Sequence, residues 1–291
     1  LLLRDAGEFF QIFPEGGKMA VVTLSRSLGS LGTQMAEILQ QRMDLPRLDK
    51  SSLEGIFSDY GEALENLERY DEKRPSFWDN FSSQKDRYLH FLKTAIFEFA
   101  GTGNALILGR GGQIILAGIP GVIKVQVTAP ITVRRDRLMK RYGVEENQAM
   151  AMLRQSDRER SGFHRFFFNV DWDSPDLHDL VINTREVEAE TAVAMIGSLV
   201  DSPPFREQAQ RQQELIRDLS LGHRAATAIL YHAHIPIQFL EAEARNGRVS
   251  LRGSTVIRAD IDRATRAAAE VKGVQQVDNH IQFVPMTFSM G

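Results

Sequence analysis

Short apolar runs alternate with amphipathic stretches over the first two thirds of the chain. Residues 19–24 (Met19, Ala20, Val21, Val22, Thr23, Leu24) are almost uniformly apolar, the pattern of a strand buried on both faces. Met35, Ile38 and Leu39 then share one helical face and predict a helix over 34–42. A short extended piece at 46–50 feeds a further helix. Residues 58–85 are polar and acidic, with Pro75 and Trp78, and read as helical excursion and loop. Leu89, Leu92, Ile96 and Phe99 place a helix over 88–99, which Gly101-Thr102-Gly103-Asn104 stops. Residues 105–108 form a second buried strand, ending in Gly109-Arg110-Gly111-Gly112. A third covers 122–127, ending at Thr128-Ala129-Pro130. Helices are predicted over 131–142 and 145–160, a fourth strand over 180–182, and a closing helix over 186–199. Strands alternating with helices predict a parallel sheet covered on both faces.

The pattern changes at Asp201-Ser202-Pro203-Pro204. Residues 205–216 are rich in Gln, Arg and Glu and read as a linker helix. In 238–244, Leu240, Ala242 and Ala244 alternate with Glu241 and Glu243, the period of a half-buried strand. Asn246-Gly247 is a tight-hairpin signal, and Val249 and Leu251 continue the alternation beyond it. A helix over 257–271 and a strand over 273–283 complete a small α+β domain. The expected organisation is an extension (1–17), an α/β domain (18–200), a linker (201–214), the α+β domain (215–285) and a tail (286–291).

Composition narrows the class. The 291 residues are 43% hydrophobic and 25% charged, ordinary for a globular protein with a sizeable core. The formal net charge of −3 gives no global field for nucleic acid or an anionic membrane. With no cysteine, there are no disulfides, thiolate nucleophiles or Cys-ligated zinc, and the expectation is a cytoplasmic protein. No run approaches a membrane span. Residues 1–13 have an apolar flavour, but Arg4, Asp5 and Glu8 interrupt them and no signal-peptide layout follows. The chain opens on Leu1 rather than Met, as a fragment or a processed form would.

The candidate chemistry centres on 20–36, strand then small-residue turn then helix. That geometry points backbone N–H groups and a helix N-terminus at a phosphate. A full phosphate loop reads G-x-x-x-x-G-K-S/T. Here Ser25, Arg26, Gly29, Ser30, Gly32 and Thr33 are present and the lysine is not. The turn is therefore either a phosphate cradle lacking its lysine or an ordinary strand-to-helix connection. Arg110 follows a buried strand between glycines, at the ligand end of a parallel sheet; the alternative is a surface ion pair. Asp49 opens a helix, where it either caps or touches substrate, and Lys50 is expected to be solvated. Arg154, Asp157, Arg158 and Arg160 crowd one helix, either as a solvated face or as a cation set for phosphoryl oxygens. Arg134, Arg135 and Arg137 are expected at the surface, with at most one in the site. His232 and His234 lack a third metal ligand nearby, so no metal site is expected there.

These pieces together resemble the cytidylate kinase-like family of P-loop nucleoside monophosphate kinases. The matching series runs S-R-S-L-G-S-L-G-T-Q-M-A, L-P-R-L-D-K, A-L-I-L-G-R-G-G, V-T-A-P-I-T-V-R-R-D-R-L-M-K-R-Y-G, S-D-R-E-R and D-L-V-I-N-T, from Val21 to about Leu199. The resemblance implies a three-layer α/β P-loop kinase, with helices on both faces of a parallel sheet, a monophosphate-binding insert and a lid. It implies ATP and Mg²⁺ as cofactors and CMP or dCMP as acceptor. By position, Gly29 to Thr33 would wrap ATP phosphates, with Thr33 or Ser30 toward Mg²⁺. Asp49 and Arg110 would hold the monophosphate. Asp157 would lie near the sugar and Arg160 near phosphate, with Arg154 beside them; Arg110, Arg158 and Arg160 are the catalytic candidates. This chain departs from the family at Gly32, where a loop lysine is kept elsewhere, at Leu31, where the divergent branch has glycine, and at Leu108 and Gly111, which replace acids. A side chain at 31 is expected to obstruct close approach of the backbone to a phosphate.

Residues 215–285 resemble a BON domain, which implies phospholipid or small-ligand contact and no catalytic residues. Two readings of the whole follow: an ATP-dependent kinase for CMP, dCMP or another small phosphate-bearing acceptor, or a nucleotide-binding sensor reporting through the BON-like module. No nucleic-acid partner is expected.

Overall fold

The structure, a computed structural model, describes residues 20–59 and 82–285. The expectations for the N-terminal extension, most of the polar 58–85 stretch and the tail lie outside the described residues. The chain divides into two compact units between Gln212 and Gln213.

The first unit is built on five parallel strands: β1 (Ala20–Arg26), β2 (Arg47–Leu48), β3 (Asn104–Leu108), β4 (Val122–Thr128) and β5 (Leu180–Asn183). Their order is β2-β3-β1-β4-β5. The central strand β1 is apolar on both faces because both faces are covered. Its helices are α1 (Gly32–Met43), α2 (Lys50–Asp59), α3 (Ser82–Ala100), α4 (Ile131–Tyr142), α5 (Glu146–Phe168) and α6 (Ala189–Val200). Val22 and Leu24 meet Leu106, Leu108, Val125 and Val127 on one face, closed by Met35 and Leu39 of α1 and Val193 and Ile196 of α6. On α3, the buried Phe91, Leu92, Ala95 and Ile96 follow helical spacing, and this helix packs on β3. Each such side chain contributes about 1.5–3 kcal/mol on burial.

The alternation of strand and helix read from the sequence is thus the observed one, with some helices longer than expected, among them the one placed over 88–99, which spans Ser82–Ala100. The helix predicted to end at Arg160 runs on to Phe168 and stops at Asn169, which is left-handed at φ +54° and donates its N–H to Arg165 O. Its last two turns turn aromatic, and Phe163 and Phe167 at i, i+4 are both buried.

The second unit begins within α7 (Ala209–Thr227). It continues with β6 (Gln238–Arg245), β7 (Arg248–Thr255), α8 (Ala259–Ala269) and β8 (Gln276–Phe283). β6 and β7 form the expected antiparallel hairpin, with Asn246 at φ +50° and Gly247 at φ +80°, both positive as its tight turn requires. β8 adds parallel to β7. Ile229, Ile237, Val249, Leu251, Ala264 and Ile281 lie in its core. Among the described residues, no helix is long and apolar enough to cross a membrane.

Candidate active site

The turn after β1 is held by its carbonyls. Ser27 N–H donates to Val127 O on β4 at 3.0 Å, and Ser30 donates to Ser27 O through both its N–H, 3.2 Å, and its hydroxyl, 2.8 Å. From the α4 side, Arg134 approaches Leu28 O at 3.5 Å and Arg137 donates to Gly29 O at 3.2 Å. Thr184, just after β5, donates to Ser30 O at 3.0 Å. Three consecutive carbonyls are therefore engaged on the protein side. The helix that follows presents first-turn N–H groups that no helix satisfies internally, at the positive end of its dipole. Burial lowers the pKa of Arg137, whose guanidinium also holds Thr184 Oγ1 at 2.9 Å and Thr184 O at 2.6 Å.

Leu31 precedes α1 at φ +65°, a left-handed conformation that L-residues avoid. A leucine held there carries backbone strain that a glycine would not. Glycine at 31 removes that strain, whereas a β-branched residue adds to it. Leu31→Gly is therefore expected to melt several degrees above Leu31→Val in a thermal scan of the two variants.

At the end of β3, Gly109, Arg110 and Gly111 take φ values of +68°, +54° and +71° in succession. This left-handed corner turns the Arg110 side chain inward. It is only 7% exposed, and its Cζ stands 5.7 Å from the centre of the Phe163 ring. Arg110 is therefore buried rather than at the surface. A Cβ on Gly111 would lie 2.3 Å from the Phe168 ring, so glycine is needed there for contact with α5. His164 Nδ1 is 2.8 Å from Arg160 O, an acceptor only, so Nδ1 carries the proton. The other ring nitrogen then accepts from Gln113 Nε2 at 3.2 Å. Both side chains are buried, and Gln113 Oε1 has no hydrogen-bond partner. Phe163, Phe168 and Gln113 were absent from the sequence reading, which had His164 only as a neighbour of the charged cluster on this helix. The i, i+4 spacing of Phe163 and Phe167 was the available signal.

The remaining candidates separate. Ser25 is buried in the sheet, Arg26 is half-buried at the end of β1, and Thr33 is exposed on the first turn of α1. Asp49 caps α2, accepting from Ser52 N–H at 3.2 Å, and pairs with Arg47 at 3.0 Å. Asp157 forms a bidentate pair with Arg134, at 3.0 and 2.8 Å. Its carboxylate thus pairs with the α4 guanidinium that also approaches Leu28 O of the loop. Arg160 turns back on Ser156, and Arg154 and Arg158 are exposed. The expectation for the α4 arginines is corrected. Arg134 is buried and Arg137 half-buried, and both brace the loop. Only Arg135 keeps the surface role, paired with Glu146 and Asp136, whose hydrogen bond raises its pKa.

A parallel sheet in this strand order, a strand–turn–helix at the end of β1 and a buried arginine at the end of β3 define an α/β protein of the P-loop kinase type. A family model described as "Cytidylate kinase-like family" matches residues 21–186, and the chain belongs to that family. A BON domain model matches residues 220–285. The chain is similar to a cytidylate kinase of Pyrococcus horikoshii, 23% identical over 182 residues, covering 62% of this chain and 88% of that protein. It is 25% identical over 107 residues to one from Methanocaldococcus jannaschii, covering 36% of this chain and 60% of that protein. Among solved structures, an uncharacterized protein from Eubacterium ventriosum superposes with a TM-score of 0.50 at 26% identity. The superposition covers 63% of this chain and 99% of that one.

Proposed function

We propose that the first unit transfers the γ-phosphoryl group of ATP to a nucleoside monophosphate, with CMP or dCMP as the acceptor that fits best. The observation that carries this is Arg110: an arginine held inward by a left-handed Gly-Arg-Gly corner, against an aromatic wall, at the same sheet edge as the phosphate turn. A buried guanidinium there suits a doubly charged phosphate, which it can grip bidentately. The α1 first-turn N–H groups take the donor phosphates. Mg²⁺ neutralises charge between the transferring phosphates when bound. Thr33, exposed on the first turn of α1, would be the candidate to hold it, because Ser30 is fully buried.

An acceptor phosphate oxygen forms the new bond to Pγ while the bond from Pγ to the β–γ bridging oxygen breaks and ADP leaves. The attacking oxygen is already anionic, so no general base is required. ADP release measured with CMP, dCMP, UMP, AMP and GMP is expected to be highest with a cytidine monophosphate. Absence of turnover with all five would defeat the reading. The second unit is read as the site of phospholipid or small-ligand contact, on its BON match alone.

A further inference from the structure

Gly32 stands where the lysine of a phosphate loop would stand, and the space above it is filled from elsewhere. A Cβ built on Gly32 would lie 2.4 Å from Arg26 Cβ and 2.9 Å from Arg26 Cγ. The stem of Arg26 therefore crosses the N-terminus of α1. Its head goes further: a Cβ on Gly109 would lie 2.8 Å from Arg26 Nη1. β1 and β3 are adjacent and parallel, in register at Leu24 and Leu108, and Gly109 N–H donates to Leu24 O at 3.1 Å. The Arg26 side chain thus spans the sheet edge from the phosphate turn to the residue beside Arg110.

We infer that Arg26 supplies the phosphate-loop cation that Gly32 does not, bridging the transferring phosphoryl group between the α1 N-terminus and Arg110. This inference rests on the kinase reading. The two substitutions depend on each other: a side chain at 32 collides with the Arg26 stem, and a glycine there gives that stem its path. A lysine reaching from the helix and an arginine reaching from the strand place positive charge over the same helix end. The arginine has the longer fork and can engage oxygens of both donor and acceptor. Charge fixed where it develops in the transition state contributes more than the same charge in water.

Arg26→Gln keeps most of the stem and removes the charge; Arg26→Lys keeps the charge. ATP affinity measured by calorimetry without acceptor is expected to fall about 10-fold in Arg26→Gln and less than about 3-fold in Arg26→Lys. kcat/KM with a saturating acceptor is expected to fall about 100-fold in Arg26→Gln. The double variant Arg26→Gly/Gly32→Lys removes the Cβ that a side chain at 32 would meet and returns the cation to the helix, and is expected to bind ATP more tightly than Arg26→Gly. Unchanged ATP affinity and turnover in Arg26→Gln would overturn the inference, because packing alone would then explain the side chain. The calorimetric arm stands apart from the acceptor. A parent protein that binds ATP without phosphorylating any monophosphate defeats the kinase reading, while the Arg26 variants still decide this one. A parent that binds no ATP overturns both.

Discussion

Arg110→Ala is expected to lower kcat/KM for the monophosphate acceptor by about 10³-fold while changing ATP affinity by less than about two-fold. The asymmetry follows from position. Arg110 lies at the end of β3, whereas the donor phosphates fall to the loop after β1 and to the α1 N-terminus. The change also removes a charge stacked on Phe163 and a non-glycine side chain held at φ +54°. The folded state loses the contact with the Phe163 ring, while Arg110→Gly is also relieved of backbone strain. Activity and stability should separate, with Arg110→Gly inactive yet melting no lower than Arg110→Ala. Arg110→Lys is expected to recover little, because a single ammonium cannot reproduce the bidentate fork. Steady-state kinetics with the acceptor varied at saturating ATP, beside thermal melts of the three variants, check this. Full activity in Arg110→Ala would remove Arg110 from the site and the acceptor assignment with it.

The sheet was legible in the sequence because its strands are buried on both faces, and so appear as continuous apolar runs that nothing else explains. Arg110 stood out for a related reason, as an arginine between glycines at the end of such a run, and the structure buries it against Phe163. What escaped were relations between distant positions. The three arginines in Arg134-Arg135-Asp136-Arg137 look like a solvated helix face. Yet Arg134 shares a face with Leu138, which is buried, and Arg137 reaches Gly29 O. That i, i+4 coincidence was visible and was outweighed by charge density. The 23-residue separation between Arg134 and Asp157 offers no local pattern at all. Gly32 appeared as the loss of a lysine because the sequence does not show which side chain crosses above it. The long α5 was cut short at Arg160, where the charged face gives way to aromatics; buried rings at helical spacing continue a helix as well as leucines do.

Asp157 decides whether the α4–α5 pair is a brace or a substrate contact. Its partner Arg134 has a side chain only 9% exposed and a buried Nε without a hydrogen-bond partner, while Asp157 itself is 34% exposed. Removing the carboxylate leaves a mostly desolvated guanidinium unpaired. That costs more than the pair contributes, since the desolvation is retained and the attraction is lost. Partial exposure of Asp157 brings the expected cost below that of a fully buried pair, to about 2 kcal/mol. For a unit of this size, this corresponds to a melting temperature lower by roughly 4–8 °C. Arg134→Met/Asp157→Ala removes both charges and is expected to melt above Asp157→Ala alone. Because Arg134 also approaches Leu28 O at 3.5 Å, loosening it should relax the phosphate turn and raise KM for ATP in both variants. A residue that merely touched the nucleotide sugar would behave otherwise. Asp157→Ala would then raise KM with an unchanged melting temperature, and the second substitution would recover nothing. Asp157→Asn, which keeps the shape and one acceptor oxygen without the charge, should fall between the parent and Asp157→Ala in both measurements if the carboxylate acts as a brace.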